Sequence, residues 1–152
     1  SDCPVIRIMP NTPASVEAGM IQYCTSNITA EEEAEFLKLM APAGRLDAVP
    51  ESLIDAASCV SGCGPAWVYQ FIEALADAAV KHGIVRADAY RMASQMVVGT
   101  GKLQLATGQH PAVMKDAVCS PGGTTIVGVG ELERKRFRGA VIDAIDAIQD
   151  KK

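Results

Sequence analysis

Imidazole and aromatic carbon are scarce in this 152-residue chain, which has two His, one Trp, three Tyr and three Phe. With His82 and His110 far apart in sequence, neither a Ser-His-Asp order nor a Cys/His nucleophile pair has support. The same scarcity argues against a metal centre. Cys59 and Cys63 are spaced about one helical turn apart, but no second cysteine pair or nearby His completes a zinc site. Cys3, Cys24, Cys59, Cys63 and Cys119 make an odd number without a disulfide-framework spacing, so we read reduced, packing thiols in a cytoplasmic protein. Basic excess is also missing: the net charge is -4, against the basic face that a nucleic-acid binder carries. No apolar run reaches the ~18 residues of a membrane-spanning helix. No basic stretch followed by an apolar one opens the chain, so no secretory signal is expected, and the acceptor-like Asn27-Ile28-Thr29 carries no weight.

Nucleotide-binding signatures are absent too. Ser61-Gly62-Cys63-Gly64-Pro65-Ala66 places Trp67 where G-x-G-x-x-G needs its third Gly; the pairs Gly99/Gly101 and Gly128/Gly130 fail the same test, and no Walker A run exists. An initiator Met is lacking: Ser1-Asp2-Cys3-Pro4 leads straight into strand-like sequence, as though cut from a longer chain. The length suits one ordinary domain and is too short for a two-domain dehydrogenase.

What is present is apolar and small. Hydrophobic residues make up 49% of the chain and charged residues 21%, enough for a packed core, and Ala occurs 23 times beside 13 Gly. Small side chains let helices approach closely, which suits either an intertwined assembly or a plain Ala-rich bundle. The first fifty residues read as mixed α/β: strands at Val5–Met9, Met20–Thr25 and Arg45–Val49, with turn chemistry at Pro10–Pro13. Between the later strands, Thr29 is a good N-cap ahead of Glu31, Glu32 and Glu33. From Pro50 the pattern is helical: a helix from Pro50, a break at Ser61–Pro65, and a long helix ending near Gly83. Further helices are expected from Arg86 to about Thr107, from Ala112 to Val118, after Ser120–Gly123, and from about Phe137. Gly99 and Gly101 inside one of them cost roughly 1 kcal/mol each relative to Ala, so close backbone contact is expected there.

One segment has the chemistry of a site. In Cys119-Ser120-Pro121-Gly122-Gly123-Thr124-Thr125, Ser120-Pro121 reads as an N-cap followed by a helix-ready residue. Two glycines there let a ligand touch backbone, and free N–H groups at a helix start attract a carboxylate or phosphate. A capped helix whose glycines serve packing is the competing reading. The run from Glu131 through Arg138 reads as a solvated helix end. Asp55, Asp77, Lys115 and Asp116 make catalytic pairs only if folding joins them. A chain this poor in acid–base residues suits chemistry performed by a cofactor.

Taken together, Met9-Pro10-Asn11-Thr12-Pro13-Ala14, Ser61-Gly62-Cys63-Gly64-Pro65-Ala66, Glu73-Ala74-Leu75-Ala76-Asp77-Ala78, Gly108-Gln109-His110-Pro111, Val113-Met114-Lys115-Asp116 and Cys119 through Ile126 resemble the Δ1-pyrroline-5-carboxylate reductase family. Their order and spacing match its C-terminal part over essentially the whole chain. The resemblance implies a mainly α fold: residues 50–152 forming an all-α dimerisation and substrate-binding domain, similar to the 6-phosphogluconate-dehydrogenase-like helical domain. Residues 1–49 would be a C-terminal remnant of a Rossmann nucleotide-binding domain. It implies reduction of the imine of 1-pyrroline-5-carboxylate to L-proline with NADPH or NADH, in a cytoplasmic homodimer or larger homo-oligomer, without nucleic acid, membrane or metal. Ser120, Gly122, Gly123, Thr124 and Thr125 match the loop that grips the substrate carboxylate. Thr125 matches the threonine that hydrogen-bonds the ring nitrogen, and is the candidate catalytic residue. Asn11, Ser61, Gly62 and Pro65 match positions bordering the nicotinamide. Lacking the nucleotide-binding half, the chain alone is expected to bind no cofactor tightly and to be inactive. A non-catalytic helical oligomerisation module is the alternative. A different imine or hydroxyacid reductase is disfavoured by the Ser120–Thr125 motif. Against the family pattern, Cys63 replaces a Ser, Trp67 a Tyr, and Glu133–Arg136 a Gly-containing turn.

Overall fold

The computed structural model describes residues 3–151. Strand β1 (Val5–Met9) pairs antiparallel with β2 (Gly19–Ser26), which pairs parallel with β3 (Gly44–Ala48), in the order β1-β2-β3. The central position of β2 explains its burial: Ile21, Gln22 and Tyr23 are all buried, whereas the edge strands are half-exposed. A parallel pair needs a crossover, and helix α1 (Ala30–Met40) supplies it. Asn27, at φ 54, turns the chain out of β2; Thr29 then accepts from the Glu32 N–H while the Glu32 carboxylate accepts from the Thr29 N–H. Glu31 in the same turn is held below the usual carboxylate range by its own backbone N–H and by Thr29. In register at the start of the parallel ladder, Gly19 faces Gly44, whose φ is +138; a Cβ on Gly44 would stand 2.2 Å from the Gly19 carbonyl oxygen. Only glycine fits there.

Successive side chains of β2 serve opposite faces. Tyr23 meets α1, its ring 5.4 Å from that of Phe36 and its hydroxyl donating to Glu33 at 2.8 Å. Gln22 meets α2 (Ile54–Ser61) through Ser61. The expected helix from Pro50 begins later, because Glu51–Leu53 form a 3-10 turn with the Leu53 N–H bonded to the Pro50 carbonyl. The expected break at Ser61–Pro65 is also shorter: Ser61 closes α2, while Gly64 and Pro65 open α3 (Gly64–Lys81).

Two compact units divide inside α3, between Tyr69 and Gln70. The second continues with α4 (Arg86–Thr107), α5 (Pro111–Ala117), α6 (Thr124–Arg134) and α7 (Phe137–Gln149). Gly83 at φ +95 and Gly108 at φ +62 provide the left-handed residues that end α3 and α4. Within this unit Phe71 and Phe137 stack at 6.1 Å, and α6 packs on α7. Its buried positions, among the described residues, are alanines: Ala76, Ala89 and Ala93. Large apolar side chains stay outside, Leu105 being 71% and Val127 70% exposed. The close backbone contact expected at Gly99 and Gly101 is not made within the chain; a Cβ at either would meet nothing within 4 Å. Mainly α, with a short α/β front, is the architecture observed.

Candidate functional site

Three of the four residues expected to border a cofactor line one cleft. Asn11, Ser61 and Pro65 surround about 290 Å³ together with Pro13, Val60, Gly64, Val68 and Tyr69. Gly62 is not among them; a Cβ there would lie 2.8 Å from the Ser58 carbonyl oxygen, so its smallness serves the end of α2. Asn11 is pinned rather than free. Its Nδ2 donates to the Ser61 carbonyl at 3.0 Å, and its Oδ1 accepts from the Met20 N–H at 3.0 Å. One amide hydrogen and one lone pair remain for a ligand. The walls are otherwise apolar, which suits the face of a flat ring. Val68 and Tyr69 lie in the apolar sequence of α3, where such residues ordinarily signal core.

The Ser120–Thr125 segment lies in the other compact unit. Here the expected N-cap moves. Pro121 and Gly122, at φ +69, occupy the middle of a tight turn closed by the Gly123 N–H donating to the Ser120 carbonyl at 3.0 Å. Proline second and a left-handed glycine third is the chemistry such a turn demands. The helix therefore starts one turn later: Gly123, not Ser120, is the N-cap of α6, and it offers no side-chain cap. The first N–H groups of α6, those of Thr124 and Thr125 among them, are thus left for a ligand. A Cβ on Gly123 would stand 2.3 Å from Ser120 Oγ, so a larger residue would have to turn that hydroxyl aside. Ser120, Gly122, Thr124 and Thr125 are exposed. Together they set an exposed turn against the uncapped start of α6, the kind of helix N-terminus that favours an anion.

The four ionisable residues singled out in the sequence are held in ion pairs. Asp55 pairs with Arg7 and Asp77 with Arg86, while Lys115 pairs with Asp116, whose carboxylate holds the ammonium above its ordinary pKa. A second cavity, about 430 Å³ between α5, α6 and α7, is lined by His110, Lys115, Glu133, Phe137 and Arg138 among others. Its charges are neutralised in pairs, Arg138 with Glu133 at 2.6 Å and Lys115 with Asp116. His110 Nδ1 accepts from the Ala112 N–H at 3.2 Å, which caps α5. Among the described residues no three of His, Cys, Asp and Glu gather as metal ligands, and no helix is long and apolar enough to cross a membrane. The connection from α6 to α7 places Arg136 at φ 58.

Comparison with known proteins gives one answer throughout. The chain is 48% identical to pyrroline-5-carboxylate reductase of Escherichia coli (strain K12) over 151 residues, 99% of this chain and 56% of that protein. It is 44% identical over 143 residues to the Arabidopsis thaliana pyrroline-5-carboxylate reductase, covering 93% of this chain and 52% of that one. The chain thus spans about half the length of the curated relatives it matches. Among solved structures, the Plasmodium falciparum pyrroline carboxylate reductase with NADP bound superposes with a TM-score of 0.91 at 34% identity, covering 99% of this chain and 60% of that chain. The Streptococcus pyogenes 1-pyrroline-5-carboxylate reductase does so with 0.90 at 37%, covering 99% and 58%. The family model for pyrroline-5-carboxylate reductase dimerisation matches residues 51–152. On these grounds, and on the motifs that the fold displays, the chain belongs to the pyrroline-5-carboxylate reductase family.

Proposed function

We propose that this chain supplies the substrate-gripping and dimer-forming part of an NAD(P)H-dependent reductase that converts 1-pyrroline-5-carboxylate to L-proline. The observation that carries the reading is the uncapped start of α6 behind the Ser120–Gly123 turn, with two threonine hydroxyls beside free amides. The amides of this segment hold the substrate carboxylate, with Ser120, Gly122, Gly123 and Thr124 shaping the grip. Thr125 steadies the ring nitrogen as its charge changes, which is orientation and electrostatic support rather than acid–base catalysis. The imine is readily protonated, so two His suffice. The domain boundary at 49/50 belongs to this reading.

A reduced nicotinamide, when bound, supplies the hydride. The residues present fit one end of such a cofactor. The cleft of about 290 Å³ is apolar enough for a nicotinamide face and sits near the ~300 Å³ lower limit of ordinary ligand sites. Asn11, Ser61 and Pro65 border it there, with Gly62 supporting the turn. No glycine fingerprint in this sequence cradles a pyrophosphate, so residues 1–152 by themselves bind NADPH or NADH weakly and turn over no substrate. The partner is a second copy of the chain, and the cysteines, none in a disulfide among the described residues, suit a reducing, cytoplasmic setting.

The test is Thr125→Val in the complete reductase. Removing one hydrogen bond to a charged nitrogen costs about 1.5–3 kcal/mol, so kcat/KM should fall roughly 10- to 150-fold. An unaltered kcat/KM would remove Thr125 from the mechanism. A second reading, a helical oligomerisation module without catalysis of its own, is favoured by the unburied apolar faces of α4, α6 and α7. It is compatible with the first, because one chain can both dimerise and hold substrate.

A further inference from the structure

The buried polar contacts of the sheet converge on Ser61. Gln22, on the central strand and only 5% exposed, accepts a hydrogen bond from Ser61 Oγ at 2.6 Å. The Ser61 carbonyl accepts from Asn11 Nδ2 at 3.0 Å. The end of α2 is therefore tied to β2 through a side chain and to the segment after β1 through its backbone. Ser61 and Asn11 line the cleft; Gln22 does not. A buried glutamine is costly unless its partner repays the desolvation. Among the described residues the alternative acceptor for Ser61 is the Ala57 carbonyl at 3.3 Å, which would point its hydroxyl back along α2 and release β2.

We propose that Gln22 is a positioning residue for the reduction, acting through Ser61 to hold the Ser61–Pro65 wall in the shape that seats the nicotinamide. The inference rests on the reading that this cleft borders the cofactor. Gln22→Met keeps the length and bulk of the side chain and removes the acceptor. In the complete reductase it should raise KM for the reduced cofactor about fivefold, the value of one ordinary hydrogen bond, while KM for the imine acid moves by less than about twofold. General loss of fold would lower kcat without splitting the two KM values. Ser61→Ala should give the same split, and the double variant should be no worse than either single one, since both remove one interaction. Additive effects, or an unaltered cofactor KM in Gln22→Met, overturn the proposal. Val68→Trp, which fills the cleft, separates the two levels of the argument. If it raises the cofactor KM and Gln22→Met does not, only the role of Gln22 falls. If Val68→Trp has no effect, the cleft does not border the cofactor and both readings fall.

Discussion

At Arg136 the backbone sits at φ 58, where a Cβ crowds the following carbonyl at a cost of roughly 1–2 kcal/mol. Arg136→Gly should therefore raise stability by up to about 1 kcal/mol, read as a higher urea midpoint, after the extra unfolded-state entropy of glycine is subtracted. A lower midpoint would mean that the side chain, which reaches toward Gly139, contributes more than the strain costs. Tyr23 makes a pH-dependent contribution of definite sign. Its hydrogen bond to Glu33, then burial, then the nearby Glu33 and Asp47 charges, raise the phenol above its ordinary value of 10.0. Because the folded pKa is the higher one, the stabilisation is complete below the unfolded value and is lost as pH rises from there through the folded value. Alkaline urea titrations should show this loss in the parent chain and its absence in Tyr23→Phe, which also forfeits about 1 kcal/mol near neutrality.

Local signals decide the elements they flank. Thr29 with Glu32 closes a capping box, and Thr29→Ala should cost about 1 kcal/mol in urea unfolding. Such short-range devices made α1, α4 and all three strands legible in sequence to within a residue or two. The start of α6 was misplaced for a reason of the same kind: Ser-Pro can open a helix or a tight turn, and the left-handed Gly122 decides for the turn. Val60, Val68 and Tyr69 are brought to Asn11 only by tertiary folding, and no spacing rule announces a cleft of that sort. Helix α4 carries a further consequence. A Cβ on Gly99 or Gly101 would meet nothing outside its own helix, so alanine at both should strengthen the lone helix by up to about 1 kcal/mol each. If their open side is where a second copy approaches, Gly99→Ala with Gly101→Ala should also weaken self-association. Circular dichroism and sedimentation together read the two effects, and undiminished association would place the interface elsewhere.

For the whole molecule, the balance of buried and unburied apolar groups matters most. A helical unit whose buried residues are alanines, with leucines and valines outside, has its hydrophobic stabilisation still to collect. Light scattering of residues 1–152 at micromolar concentration, without nucleotide, should give a dimeric or larger mass; a monomer would contradict the assembly proposed above. The thermal midpoint should rise with protein concentration, as it does whenever folding and association are linked. The sheet adds a separate liability. Strand β1 offers one side to β2, and among the described residues no strand pairs with its other side, while its Val5 and Ile8 side chains are exposed. An uncovered, apolar strand edge is a template for intermolecular pairing. Expressed by itself, the polypeptide is thus open to a second, ungoverned route of self-recognition that ends in precipitation. A single lysine at Ile8 should favour recovery in the supernatant.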